Sequence, residues 1–261
     1  MRQDLVFSLT VALGLFSSNC ALSQATADPF IPTIEALKHS VAPIVCLERR
    51  GSQTVISDIK GSAFFISRAG EFLTAAHVID ELGHLAGRAC PIVAIYLPSG
   101  GWKPEVAEED FQWFAFAIAD CDENGYLDLA RCATSVDISA PLEGFNFEVQ
   151  PVSFEFSNQP DGTLVAFSGF PLRSNDPLTS RGNIAAYRRG KNGSPSEVVV
   201  DKAVWPGASG SPLYLHDGRV IGIIIQGGIG DGAGIAIARP ARFIQQFLDE
   251  IGLPTPNHGG Q

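Results

Sequence analysis

Positive charge, zinc-type cysteine spacing and membrane-length apolar runs are all scarce in this 261-residue sequence. Lys and Arg number 18 against 28 Asp and Glu, a formal charge of −10, and the pI is near 4.9. A net-negative chain repels phosphate, which argues against nucleic acid or an anionic membrane as a partner. The five cysteines include no C-x-x-C pair, so no structural zinc site is expected, and the sequence implies no cofactor. No repeat, coiled coil or low-complexity run occurs, and helix periodicity is confined to the end of the chain.

What is present is apolar and finely punctuated. The chain is 45% hydrophobic with 27 Gly and 17 Pro, and its mean hydropathy is +0.14. That supports a sizeable core in one large all-β domain or two small ones. It is too rich in Val, Ile and Phe for disorder.

The first 27 residues read as a signal peptide. "LVFSLTVALGLF" (Leu5 to Phe16) carries no charge, follows Arg2 and precedes small and polar residues. It is too short to span a bilayer and suits a signal-peptide core. Cleavage after Ser23 or Ala27 would give a secreted or periplasmic protein with no stable membrane insertion. A lipoprotein reading through Cys20 lacks the usual Leu three residues earlier. Cleavage would remove Cys20 and leave Cys46, Cys90, Cys121 and Cys132. Four cysteines in an exported chain allow three pairings. The preferred one joins Cys121 to Cys132 around Asp128 and Cys46 to Cys90 around His77; four buried thiols are the alternative.

Beyond a short helical lead in "TIEALKHS", strand-length runs recur between turn signals: "APIVCLE", "GSAFFIS", "EFLTAAHVI", "PIVAIYLP", "FAFAIAD", "FEVQPVSFEF", "GTLVAFSGF", "RGNIAAYRR", "SEVVVDKAVW", "SPLYLHD", "RVIGIIIQG" and "AGIAIARP". Such short strands, rich in β-branched and aromatic residues, predict antiparallel barrels or sandwiches. In "PARFIQQFLDEIG", Phe243, Ile244, Phe247, Leu248 and Ile251 share one helical face between Pro240 and Gly252. "DISAPLEGF" (Asp137 to Phe145) is the expected hinge. The expected divisions are 1–27, 28–140, 141–240 and 241–261.

Three short motifs carry chemistry. "GASGSP" (Gly207 to Pro212) sets Ser209 in a tight glycine-flanked turn, as a nucleophile needs if its hydroxyl is to project while backbone N–H groups converge on one spot. Ser211 is a poorer candidate, because Pro212 restricts it. "LTAAHV" places His77 after a strand, a setting that the other four histidines lack. Asp128, in "DCDENGYLDLAR", admits two readings: it can orient a histidine or ligate calcium. With Asp120, Asp122, Asn124 and Gly125 it matches part of an EF-hand loop, but the twelfth position is Arg131 rather than a bidentate acid. Asp128 is therefore assigned to His77. A weaker calcium site of Asp120, Asp122 and Asn124 stays open, since residues 105–128 hold eight acidic side chains and no basic one.

On these motifs, in the chain order His, Asp, Ser, the sequence resembles the chymotrypsin-fold serine proteases, closest to the bacterial HtrA-like branch. The matching segments are "GSAFFISRAGEFLTAAHVI", "LDLA", "VVVDKAVWPGASGSPLYLHDGRVIGI" and "GAGIAIARPARFIQQFL", spread over roughly residues 40–250. The resemblance implies an all-β fold of two six-stranded antiparallel barrels with a C-terminal helix, and a peptide or protein substrate. It implies His77 as general base, Asp128 as orienting acid and Ser209 as nucleophile, with the Gly207 and Ser209 N–H groups as oxyanion hole. Ala208 departs from the Asp or Asn common before the serine, and Ser211 from the commoner Gly. With 21 residues after Pro240, no PDZ module is expected.

Counting from Ser209 puts Ala203 at the base of the substrate pocket, Ile225, Gln226 and Gly227 on one wall and Gly234 on the other. None of these is charged, which predicts cleavage after small to medium apolar residues. An alignment shifted by two would put Asp201 at the base and favour Arg or Lys. Two rivals remain. An α/β-hydrolase is disfavoured by the missing strand–helix alternation and by triad order. An inactive protease-fold binding module is disfavoured because no member of the triad is replaced.

Overall fold

The computed structural model describes residues 28–85, 90–100, 102, 113–191, 193–228 and 234–254. The expected signal segment lies outside these residues. Among them, no helix is long and apolar enough to cross a membrane.

Twelve strands form two closed six-stranded antiparallel barrels. The first contains β1 (Val41–Arg50), β2 (Gln53–Phe65), β3 (Glu71–Thr74), β4 (Ile92–Pro98), β5 (Trp113–Asn124) and β6 (Leu129–Thr134), in the order β1-β2-β3-β6-β5-β4. The second contains β7 (Leu164–Gly169), β8 (Leu178–Arg189), β9 (Pro195–Val200), β10 (Pro212–Tyr214), β11 (Val220–Gly227) and β12 (Ala236–Pro240), in the order β10-β11-β12-β9-β8-β7. Helix α1 (Phe30–Lys38) precedes the first barrel, α2 (Ala76–Leu85) follows β3, and α3 (Ala241–Glu250) ends the fold. This is the all-β architecture expected.

Two expected strands differ from those observed. "EFLTAAHVI" stops being a strand at Thr74 and becomes helical at Ala76. "FEVQPVSFEF" joins no ladder apart from a single bridge, Phe154 with Val220. Phe147 and Val149, then Val152 and Phe154, are buried in alternation on either side of a one-residue slip at Gln150 and Pro151, and Pro151 has no N–H to give a ladder. Its backbone bonds are instead divided between the barrels: Val152 N–H to Phe65 O at 3.0 Å and Glu155 N–H to Val220 O at 2.9 Å. The segment ties one barrel to the other. The remaining strand is β6, whose short alternating run "LARCAT" follows Asp128 directly.

One apolar cluster runs from the interior of the first barrel (Ile44, Phe64, Phe72, Ile95, Leu129) through this connector to Ile223, Ile237 and α3. A second, with Val165, Phe167, Val200, Leu213 and Ile224, fills the other barrel. Helix α3 buries Ile244, Phe247 and Leu248, each contributing roughly 1.5–3 kcal/mol by burial. It starts after Pro240, and Gly252 (φ 76°) follows its last turn, as that sequence predicts.

Disulfides join Cys46 to Cys90 and Cys121 to Cys132, with Cα–Cα distances of 5.3 and 4.1 Å. Between the pairs Ala119–Ala133 and Asp122–Arg131, two residues of β5 oppose one of β6. The second disulfide spans this bulge and braces the hairpin that carries Asp128.

Candidate active site

His77 is the second residue of α2, so it projects from the point where the chain turns from strand into helix. That turn is held from below: the buried Thr74 hydroxyl donates to Ser62 O at 2.8 Å. Asp128 sits between Asn124, the end of β5, and Leu129, the start of β6, in the left-handed region with φ 55°. Asp adopts that conformation more readily than most residues.

His77 Nδ1 lies 3.0 Å from Asp128 Oδ1 and 2.9 Å from Oδ2, and the His77 N–H donates to Oδ1 at 3.0 Å. An ionised carboxylate only accepts, so the ring proton belongs on Nδ1 and Nε2, on the opposite edge, is the basic nitrogen. Burial opposes ionisation of Asp128. The bonds from the His77 ring and amide, with the charges of His77 and Arg239, outweigh it and hold the carboxyl below its ordinary range. The His77 side chain stays 39% exposed against 24% for Asp128, so the imidazole is the more accessible partner.

Ser209 lies on the loop before β10 of the other barrel, and its backbone packs against Gly61 and Ser62, with Gly61 close to the start of α2 at Val78. A Cβ on Gly61 would lie 2.7 Å from the Val78 methyls and 3.1 Å from Ser209 O. The Ser62 N–H donates to Ser209 O at 2.8 Å. A side chain at residue 61 would push the serine loop away from the start of α2.

The turn around Ser209 is fixed peptide by peptide. Leu172 N–H donates to Pro206 O at 2.9 Å. Across a trans peptide the Gly207 N–H then points the opposite way. Ser62 Oγ accepts from Phe170 N–H at 2.9 Å and donates to Gly207 O at 2.8 Å. Gly207 (φ 96°) and Gly210 (φ 88°) occupy backbone conformations that L side chains rarely adopt. A Cβ on Gly210 would strike the Ser62 carbonyl. No hydrogen bond from the Gly207 or Ser209 N–H occurs among the described residues. These are the two donors that the sequence assigns to the oxyanion hole.

The expected pocket residues do not all converge. Ala203 and Val204 both line a small cavity with Phe167, Pro171, Leu178 and Ala208. Val204 is the residue that meets the Gly227 wall: a Cβ on Gly227 would lie 2.7 Å from Val204 Cγ1. Ile225 is buried, Gln226 is exposed and Gly234 is exposed at the edge of segment 229–233, which lies outside the described residues. Asp201 is occupied by Asn183, whose backbone N–H and side-chain amide both donate to it. In the acidic hairpin, Asp122 pairs with Arg131 at 3.5 Å and Asn124 Oδ1 accepts Leu127 N–H at 3.0 Å. Among the described residues no group of three or more His, Cys, Asp or Glu side chains could hold a metal ion.

Sequence reasoning missed Ser62, Leu172, Val204 and Arg239. Arg239 left a signal, a lone cation in the apolar run "GIAIARP". Ser62 acts through its hydroxyl on two distant backbone groups, Leu172 through its backbone N–H and Val204 through its contact with Gly227, tertiary relations that residue type alone does not encode.

A family model described as a trypsin-like peptidase domain matches residues 61–223. Serine protease HTRA1 of Xenopus laevis is 26% identical over 195 residues, 73% of this chain and 36% of that protein. Serine protease HTRA3 of Rattus norvegicus is 25% identical over 196 residues, 73% of this chain and 37% of that protein. The chain thus spans little more than a third of these relatives. The active form of the Rv3671c protease from M. tuberculosis superposes with a TM-score of 0.57 at 20% identity, covering 87% of each chain. Its inactive form gives 0.58 at 20% identity, covering 85% of this chain and 93% of the other. With the family model matched over more than half its length and both barrels in place, this chain belongs to the trypsin-like peptidase domain family.

Proposed function

We propose that the protein is a serine endopeptidase in which Ser209 is the nucleophile, His77 the general base and Asp128 the acid that orients it. The observation that carries this reading is the three-point hold of Asp128 on the ring and amide of His77. Ser209 Oγ attacks the scissile carbonyl as Nε2 of His77 takes its proton, giving a tetrahedral oxyanion that the Gly207 and Ser209 N–H groups stabilise. The C–N bond then breaks, His77 protonates the leaving amine, and an acyl-enzyme remains for water to hydrolyse. Asp128 stays ionised and keeps the imidazole in one tautomer.

The substrate preference we infer is for small apolar residues before the scissile bond. Val204 fills the space in front of Gly227, and Asp201 is held by Asn183. An uncharged, shallow pocket does not compensate the desolvation of Lys or Arg. Two disulfides suit an oxidising compartment, and we propose export through residues 1–27.

Ser209→Ala tests the mechanism. It should reduce peptide cleavage by about 10⁴-fold or more while leaving the melting temperature close to that of the parent chain. Undiminished cleavage by that variant would refute the assignment. A parent chain that cleaves no peptide but binds one would favour the binding module instead.

A further inference from the structure

Strand β12 reads Ala236, Ile237, Ala238, Arg239, Pro240, and its single charged side chain bridges its own barrel and the other. Arg239 Nε donates to Leu127 O at 2.7 Å and Nη1 to Ser196 O at 2.7 Å. Its guanidinium also lies 5.7 Å from the centre of the Phe243 ring. Leu127 immediately precedes Asp128 and is buried, with its own N–H taken by Asn124 at 3.0 Å. The Leu127 carbonyl belongs to the peptide unit that bears the Asp128 N–H, so anchoring it fixes the plane from which Asp128 departs at φ 55°. A left-handed residue other than glycine persists only where its surroundings over-determine it. Here a residue of the second barrel supplies part of that determination to an acid carried by the first.

We propose that Arg239 is a positioning residue for Asp128, a clamp across the barrel interface that keeps the carboxylate aimed at His77. This rests on the reading of Ser209, His77 and Asp128 as the catalytic set. Its charge acts in the same sense. Burial works against the ionised Asp128, and the bonds and charge of His77 together with the charge of Arg239 overcome it. Other charged groups stand on the elements packed there. Glu123 of β5 is raised by burial and then by Asp80 of α2, Arg131 of β6 pairs with Glu71 and Asp122, and Glu197 of β9 pairs with Arg188. Lys191, Glu197 and Glu250 line the same cleft as Arg239. Lysine would keep the charge but not the planar fork that reaches two carbonyls at once.

The test compares R239M, R239K and S209A with the parent chain in kcat, KM, pH profile and melting temperature. R239M should lower kcat between about ten- and a hundred-fold, the effect of small misplacement, with KM little changed. Losing the cation favours the imidazolium, so the acid limb of kcat/KM should move up by a few tenths of a pH unit, the scale of a partly screened charge. R239K should keep the limb in place while recovering only part of kcat. Wild-type kcat and limb in R239M would overturn the proposal. So would a loss of kcat that follows a lower melting temperature with the limb unmoved, since that is a purely structural role. If R239M does not fold, R239K decides: wild-type kcat there overturns the clamp, and reduced kcat with an unmoved limb supports it. Cleavage by S209A would remove the catalytic reading and the proposal together, whereas an inactive S209A beside an unaffected R239M removes the proposal alone.

Discussion

A Cβ placed on Gly227 would sit 2.7 Å from Val204 Cγ1 and 3.3 Å from Val204 O. On the substrate preference proposed above, this valine is the residue that would limit how deep a substrate side chain reaches. Val204→Gly should therefore extend cleavage from Ala and Val toward Leu and Phe, read as a profile over a peptide library. Lost burial and added backbone freedom should also cost about 1–2 kcal/mol in stability. A profile that stays confined to small residues would show that Val204 does not set the pocket. The sequence expectation named the neighbouring Ala203, which lines the same small cavity as Val204.

At the scale of elements, what the sequence made legible is what chemistry and periodicity constrain tightly. The continuous apolar run in "APIVCLE" and the helical face of Ile244, Phe247 and Leu248 predict β1 and α3 correctly. Ser209 stood out by its flanking glycines, and His77 and Asp128 by occurring with it in the chain order His, Asp, Ser. The misses share a cause in tertiary context. The apolar alternation of residues 147–156 packs into the core while its backbone bonds go to two different barrels, and no local pattern separates that from a strand. Conversely, β6 is six residues long and interrupted by Arg131, a charge that the ladder tolerates because Glu71 and Asp122 pair with it. Helix α2 was hidden because "TAAHVI" suits a strand end as well as a helix start. The disulfides follow the preferred pairing, Cys121 with Cys132 closing a short loop at a sequence separation of 11 and Cys46 with Cys90 spanning 44.

For the whole molecule, charge and pH give a further test. Asp28 is held below the usual carboxylate range by its hydrogen bond from Arg181, Asp137 by the Ser139 hydroxyl, and Asp201 by the Asn183 amide. Each has a folded-state pKa below its unfolded value, so its stabilisation is full above about pH 4 and is lost as pH falls toward the depressed value. Glu123, raised by burial and then by Asp80, works in the opposite direction over the range above its ordinary value. Asp128 and Asp217 are lowered as well, so five lowered carboxyls stand against one raised, and thermal melting should stay near constant around neutrality and fall below about pH 4. A melting temperature that rises on acidification would contradict this balance of shifts. The two barrels act together only if Ser209 from one is activated by His77 from the other. Fluorophosphonate labelling followed by peptide mapping tests that most directly. The fluoride leaves as a serine Oγ bonds phosphorus, so the tag marks the activated hydroxyl. The expected result is a single tag on Ser209 that disappears in both Ser209→Ala and His77→Ala; a tag on another residue, or one on Ser209 that survives His77→Ala at full rate, would contradict the assignment.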